Sequence, residues 1–167
     1  TLVVDAMFED FDHSQRRDIC LFAESFHYID LVTALSKAGQ LAEKGVVIFD
    51  YFRRPGFAHD DGTRGTHAAF VAEVARQGVF DILSDEDMTD AITPTFVIHE
   101  YLKNEKVGPF VQRFRAELKR EYPWRAWIME KMLGQSLNKL GRHTDRAAVF
   151  ARNHEYRLIV LGRRNAA

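Results

Sequence analysis

The sequence predicts an α/β domain built on a mostly parallel sheet. Three observations lead there. Asp18 to Ala23 is an apolar run almost without interruption, the pattern of a strand buried on both faces. Leu31, Leu35, Ala38 and Leu41 recur at the spacing of an amphipathic helix. Val46 to Phe49 is a second short apolar run. Strand, helix and strand in this order form a βαβ unit. In open parallel sheets, ligands gather beyond the carboxyl ends of the strands, which is where Glu24, Ser25, His27 and Asp50 fall.

Leu2 to Val4 reads as a short strand ending at Asp5, and Phe8 to Asp12 as an acidic, aromatic connection. The first helix spans Ile29 to Ala42, and Gly45 lies past its end, where a reversal is expected. Arg53 to Gly65 carries proline, glycines and alternating charge, and its length suits a lid or surface loop. His67 to Gln77 is a helix and Phe80 to Ser84 a strand, while the acidic stretch Asp85 to Asp90 is expected to open a helix. Thr93 to Arg152 is rich in helix formers and aromatics and reads as three or four helices. Pro94, Pro109 and Pro123 stand near their starts, where proline is tolerated. Glu155 to Leu161 is a closing strand.

A chain of 167 residues with 46% hydrophobic content suits one domain with a core of its own. The 23 basic and 24 acidic residues balance, leaving no footprint for nucleic acid or an acidic membrane surface. Cys20 is the single cysteine and lies in an apolar run, so no internal disulfide forms and a reducing, cytoplasmic setting is expected. No apolar run approaches a membrane span. The chain opens on Thr1 and almost at once on Leu2 to Val4, as a fragment or processed chain would. A sheet cut there exposes a strand edge, so pairing with another chain, or aggregation, is expected.

Taken in order, these segments resemble the C-terminal part of a class I S-adenosylmethionine (SAM)-dependent methyltransferase. Asp5-Ala6 resembles the family's adenine-contacting turn, and Arg17 to Ile29 its fourth strand with the segment after it. Leu35 to Gly45 together with Val46 to Asp50 resembles the next helix, its turn and the fifth strand, with Glu43-Lys44-Gly45 as the turn. Phe80 to Leu83 and Glu155 to Leu161 resemble the last two strands. The resemblance implies a Rossmann-like sheet with an antiparallel last strand, a helical cap over residues 91–150, and SAM as cofactor. It also implies that Asp5 accepts from the adenine amino group and that Ala6 offers its backbone N–H to the ring. The family's glycine-rich turn and the acidic residue after its second strand are absent, and no Gly-x-Gly occurs. An upstream segment holding two strands is therefore expected to be missing.

Several residues carry candidate chemistry. His27 is the sharpest, because methyl transfer to an unactivated hydroxyl requires a proton to leave, and an imidazole can accept it. Glu24 lies three residues earlier, so a helical turn would bring the two together. Glu24 is also a candidate for orienting the cofactor, with Ser25 beside it as a helix N-cap. The spacing Glu24-x-x-His27 also occurs in di-iron bundles, but no second such pair stands out, and no metal is expected. Tyr28, Asp50, Tyr51 and Arg53 are candidate substrate contacts, Arg53 toward an anionic group. His99, Tyr101, Phe110, Phe114, Trp124 and Trp127 would give the cap its apolar surface, and Arg113 to Glu121 reads as a solvated helix face.

The expected function is SAM-dependent methyl transfer to a small-molecule hydroxyl, amine or activated carbon, with no nucleic-acid or membrane partner. Two alternatives come from other classes. One is a non-catalytic remnant that uses its cap helices for protein association. The other is a Rossmann-like enzyme with a different nucleotide cofactor.

Overall fold

The computed structural model describes residues 7–11, 16–57, 65–141 and 145–164. The expected strand at Leu2 to Val4, and Asp5 and Ala6 with it, lie outside them. The chain divides into two compact units, residues 1–90 with 151–167, and residues 91–150.

The first unit holds the sheet. Strand β1 (Arg17–Ala23) leads through a single 3-10 turn (Phe26–Tyr28) into α1 (Leu31–Leu41), then β2 (Ala42–Arg53). After α2 (His67–Gln77) and β3 (Phe80–Asp87), the chain returns to this unit as β4 (His154–Arg163). The strand order is β1-β2-β4-β3. β1 pairs with β2 in parallel, and β4 runs antiparallel between β2 and β3. The α/β sheet with an antiparallel last strand, expected from the sequence, is what the chain forms.

Local chemistry sets each boundary. Asp30 caps α1 by accepting from the backbone N–H of Thr33 at 3.0 Å. Thr66 caps α2 through its hydroxyl, which accepts from the N–H of Ala69 at 3.2 Å. Gly78 ends α2 in the left-handed conformation, φ +66°. The buried faces of α1 (Leu35, Ala38) and α2 (Phe70, Val74) cover one side of the sheet. They meet Phe22, Val46, Ile48, Phe52, Ile159 and Leu161 there. Phe26 stands edge-on to both Phe22 and Phe70, at 5.2 and 5.7 Å between centroids. The opposite face carries Ile19, Leu21 and Leu83 largely exposed.

Three expectations need correction. Gly45 is not at a reversal. α1 ends at Leu41, Ala42 is already extended, and Gly45 lies inside β2. Its glycine is needed for a close approach of strands, since a Cβ there would stand 2.1 Å from the Leu161 carbonyl oxygen. The acidic stretch Asp85 to Asp90 opens a helix only at its end: β3 takes Asp85 to Asp87, and α3 begins at Thr89 with Asp90 in its first turn. Arg53 belongs to β2 rather than to the loop after it, because pairing with β4 extends that strand as far as His154.

Gly45→Ala is expected to lower the unfolding free energy in urea by about 1–3 kcal/mol, because the clash is with backbone. Gly162→Ala should cost less. The atoms nearest its new methyl are those of the movable Leu83 side chain, at 2.7 Å. Equal losses would mean that the β2–β4 spacing yields easily.

The second unit is helical. It holds α3 (Thr89–Tyr101) beyond Asp90, a π-helical segment (Leu102–Val107), α4 (Gly108–Glu121), α5 (Pro123–Gly141) and most of α6 (Arg146–Asn153). Pro109 and Pro123 sit at helix starts, whereas Pro94 lies within α3. Arg115 links α4 to α5 through Asn138, at 2.8 Å, and Glu130. Phe96 stacks on Phe150 at 4.4 Å.

Candidate functional site

The carboxyl end of β1 lies against β2, with Ala23 opposite Phe49, four residues before β2 ends at Arg53. The segment leaving β1 is therefore brought against Asp50 and Tyr51 of β2. After β1 the chain turns sharply at Glu24, which has φ +52°, a left-handed backbone that side chains other than glycine seldom adopt. The turn is anchored by the Glu24 N–H, which donates to the Phe49 carbonyl at 2.9 Å. The 3-10 turn after it carries His27 back toward β2.

There the imidazole meets Asp50. His27 Nδ1 lies 2.7 Å from Asp50 Oδ1, with both side chains buried. The other carboxylate oxygen, Oδ2, accepts from the backbone N–H of Phe26 at 2.6 Å and of His27 at 3.3 Å. Oδ1 also accepts from the N–H of Tyr51 at 2.8 Å. Asp50 thus closes the turn through the backbone and orients the ring through the side chain. On the far side of the ring, His27 Nε2 lies 2.9 Å from the Tyr51 hydroxyl. A carboxylate can only accept, so in the neutral imidazole the proton lies on Nδ1 and Nε2 accepts from Tyr51. The result is a chain of hydrogen bonds, Tyr51 O–H to His27 and His27 N–H to Asp50. A small cavity beside it is walled by Phe26, Phe52, Phe70 and Thr66.

The other candidates are distributed around this chain. Glu24 does not pair with His27 through a helical turn, because the turn begins only at Phe26. Its carboxylate instead accepts from the Tyr156 hydroxyl at 3.0 Å. Ser25 occupies the N-cap position of the 3-10 turn but makes no side-chain cap; Asp50 takes that role. Asp50 is fully buried, so it positions His27 rather than facing a substrate. Tyr28 is 63% exposed, its ring 3.9 Å from that of His27. Arg53 donates to the Phe57 carbonyl at 2.9 Å. Asp5 and Ala6 lie outside the described residues. Among those residues no cluster of His, Cys, Asp and Glu is placed to hold a metal ion, and no helix is long and apolar enough to cross a membrane.

Two site residues carry no local signal in the sequence. Tyr156 pairs with Tyr51 across the β2–β4 ladder, and the buried His154 stands edge-on to the Tyr51 ring at 5.5 Å. Both arrive more than a hundred residues later in the chain, through antiparallel pairing. Burial and the Glu24 carboxylate push the Tyr156 phenol well above the ordinary tyrosine range. A proton held more tightly in the folded state gives stability that is full below the ordinary tyrosine range. It is lost as pH rises from there through the folded value. The urea midpoint of the wild type should therefore fall more steeply in alkali than that of Tyr156→Phe. Parallel slopes would count against the Glu24–Tyr156 bond.

Near the same sheet end, His67 Nε2 contacts Asp85 at 2.6 Å, and Asp85 accepts from Arg157 at 2.7 Å. Arg157 also donates to Glu155 at 3.1 Å. The network ties the start of α2 to β3 and β4.

No family model matches the chain, and no curated protein does. Solved structures do match. They include the [4+2]-cyclase SpnF, at TM-score 0.56 and 14% identity, over 96% of this chain and 56% of that one. A phosphoethanolamine N-methyltransferase from Haemonchus contortus, solved with phosphomonomethylethanolamine and S-adenosylhomocysteine, matches at 0.56 and 12%, over 95% and 36%. The mycolic acid cyclopropane synthase CmaA1, solved with S-adenosylhomocysteine and CTAB, matches at 0.55 and 12%, over 95% and 59%. The chain has the fold of class I SAM-dependent methyltransferases and spans between about a third and three fifths of these neighbours' length.

Proposed function

We propose that this chain carries the proton-accepting side of a SAM-dependent methyltransferase that acts on a small molecule. The acceptor is a hydroxyl, amine or activated carbon that must lose a proton. The observation that supports this most is the Tyr51–His27–Asp50 chain, set where β1 ends against its parallel neighbour β2, the side of such sheets on which ligands bind. The fold shared with methyltransferases solved with SAM or its demethylated product supports it further.

The residues fit one edge of the cofactor. Glu24 is exposed and steadied by Tyr156, and the Ser25 hydroxyl is not spent on capping its turn. Both can offer polar contacts there. Bound SAM supplies an electrophilic methyl group on a sulfonium. The work of this chain is to orient the acceptor and to take its proton. His27 Nε2 receives that proton through the Tyr51 hydroxyl, and Asp50 then faces an imidazolium, whose charge it offsets. Tyr28, beside the imidazole, and Arg53 are the proposed contacts to the acceptor.

Calorimetric titration of SAM and S-adenosylhomocysteine into the natural full-length protein tests the reading. Micromolar binding of both is expected. Binding of neither would overturn it in favour of a non-catalytic remnant.

A further inference from the structure

The chain's balanced charge hides a division. Residues 91–150 hold eleven Lys and Arg against six Asp and Glu, a net +5. The rest of the chain holds twelve against eighteen, a net −6, which together give the overall −1. Among the described residues, the basic unit also leaves more large apolar side chains uncovered than the sheet unit does. On α5, Trp124, Trp127, Ile128 and Met132 recur at the spacing of one helix face. They are exposed by 61, 65, 40 and 76%.

The cations stand among these rings. The Arg125 guanidinium lies 5.0 Å from the Tyr122 ring and 5.2 Å from that of Trp124, and Lys131 lies 5.2 Å from the Trp127 ring. The acids nearby are largely taken up within the unit. Glu117 and Glu121 pair with Arg120, and Glu130 pairs with Arg115.

From this placement we infer that the exposed face of α5 docks on an anionic lipid surface. An interfacial helix needs an apolar stripe with aromatic rings at the headgroup level and a fringe of Lys and Arg toward the phosphates. The α5 face has each of these, and it is too polar overall to cross a bilayer. A second copy of this chain would bring two units of net +5 together around the stripe, which like charge opposes. A nucleic acid would satisfy the cations but leave Ile128 and Met132 in water. Charge summed over the whole chain argues for no membrane partner, and the division into two units of opposite sign reverses that expectation. The inference is independent of methyl transfer, and either can fail without the other.

Trp124 and Trp127 are the chain's two tryptophans, so its tryptophan emission reports on this face alone. The full chain would be titrated with vesicles of phosphatidylcholine, and with vesicles of phosphatidylcholine mixed with phosphatidylglycerol. The expected result is a blue shift and cosedimentation with the mixed vesicles, weakened by salt. Arg125→Glu with Lys131→Glu should lower that partitioning by roughly tenfold or more. Far-ultraviolet dichroism checks that the variant stays helical. Any of the following results would overturn the proposal. One is no shift with the mixed vesicles, or an equal shift with phosphatidylcholine alone. Another is a lipid-free shift that grows with protein concentration and accompanies a dimer in sedimentation. The last is release from the mixed vesicles by a single-stranded oligonucleotide that itself gives the shift.

Discussion

With a hydroxyl acceptor, His27→Gln is expected to lower kcat by about 10²–10⁴-fold, the usual contribution of a positioned general base. The KM for SAM should change little, since the role proposed for the ring is with the acceptor's proton. An acceptor already ionised at the assay pH has no proton to give, so it should lose far less in the variant. That contrast separates a base from a residue that merely shapes the turn. Equal losses with both acceptors would remove His27 from the chemistry. Tyr51→Phe is expected to fall with His27→Gln, because the Tyr51 hydroxyl stands 2.9 Å from Nε2, between the ring and whatever approaches it.

Much of this site is legible in the sequence, for a physical reason. His27 and Asp50 each come just after a short apolar run, and parallel pairing of such runs brings their carboxyl ends to one place. What could not be read is which polar group answers which. Glu24 has the spacing to reach His27 on a helix, but its own left-handed backbone ends the strand before any helix starts. Its partner is Tyr156, set opposite Tyr51 by a ladder of long sequence separation. Gly45 misled for a similar reason. Glycine after a helix suggests a turn, whereas here the strand needs it for the approach of Leu161. Local pattern gave the elements, and cross-strand register gave the contacts. The whole-chain charge balance likewise conceals two units of opposite sign, which only the division of the fold reveals.

Asp50→Ala should be the most damaging single change to stability, lowering the unfolding free energy in urea by about 3–5 kcal/mol. The carboxylate is fully buried and accepts from four donors, the N–H groups of Phe26, His27 and Tyr51 and the His27 ring. Alanine strands all four away from water. Asp50→Asn keeps the shape and one acceptor oxygen, so its cost should be smaller, about 1–3 kcal/mol. The two variants differ more tellingly in turnover. An asparagine that turns its amide toward His27 donates to Nδ1, which moves the ring proton to Nε2. A protonated Nε2 can neither accept from Tyr51 nor take up a substrate proton. Asp50→Asn should therefore remain largely folded at assay temperature yet lose activity on the scale of His27→Gln. Normal turnover in a folded Asp50→Asn protein would show that the carboxylate serves the turn alone, and that the tautomer of His27 is fixed by something else.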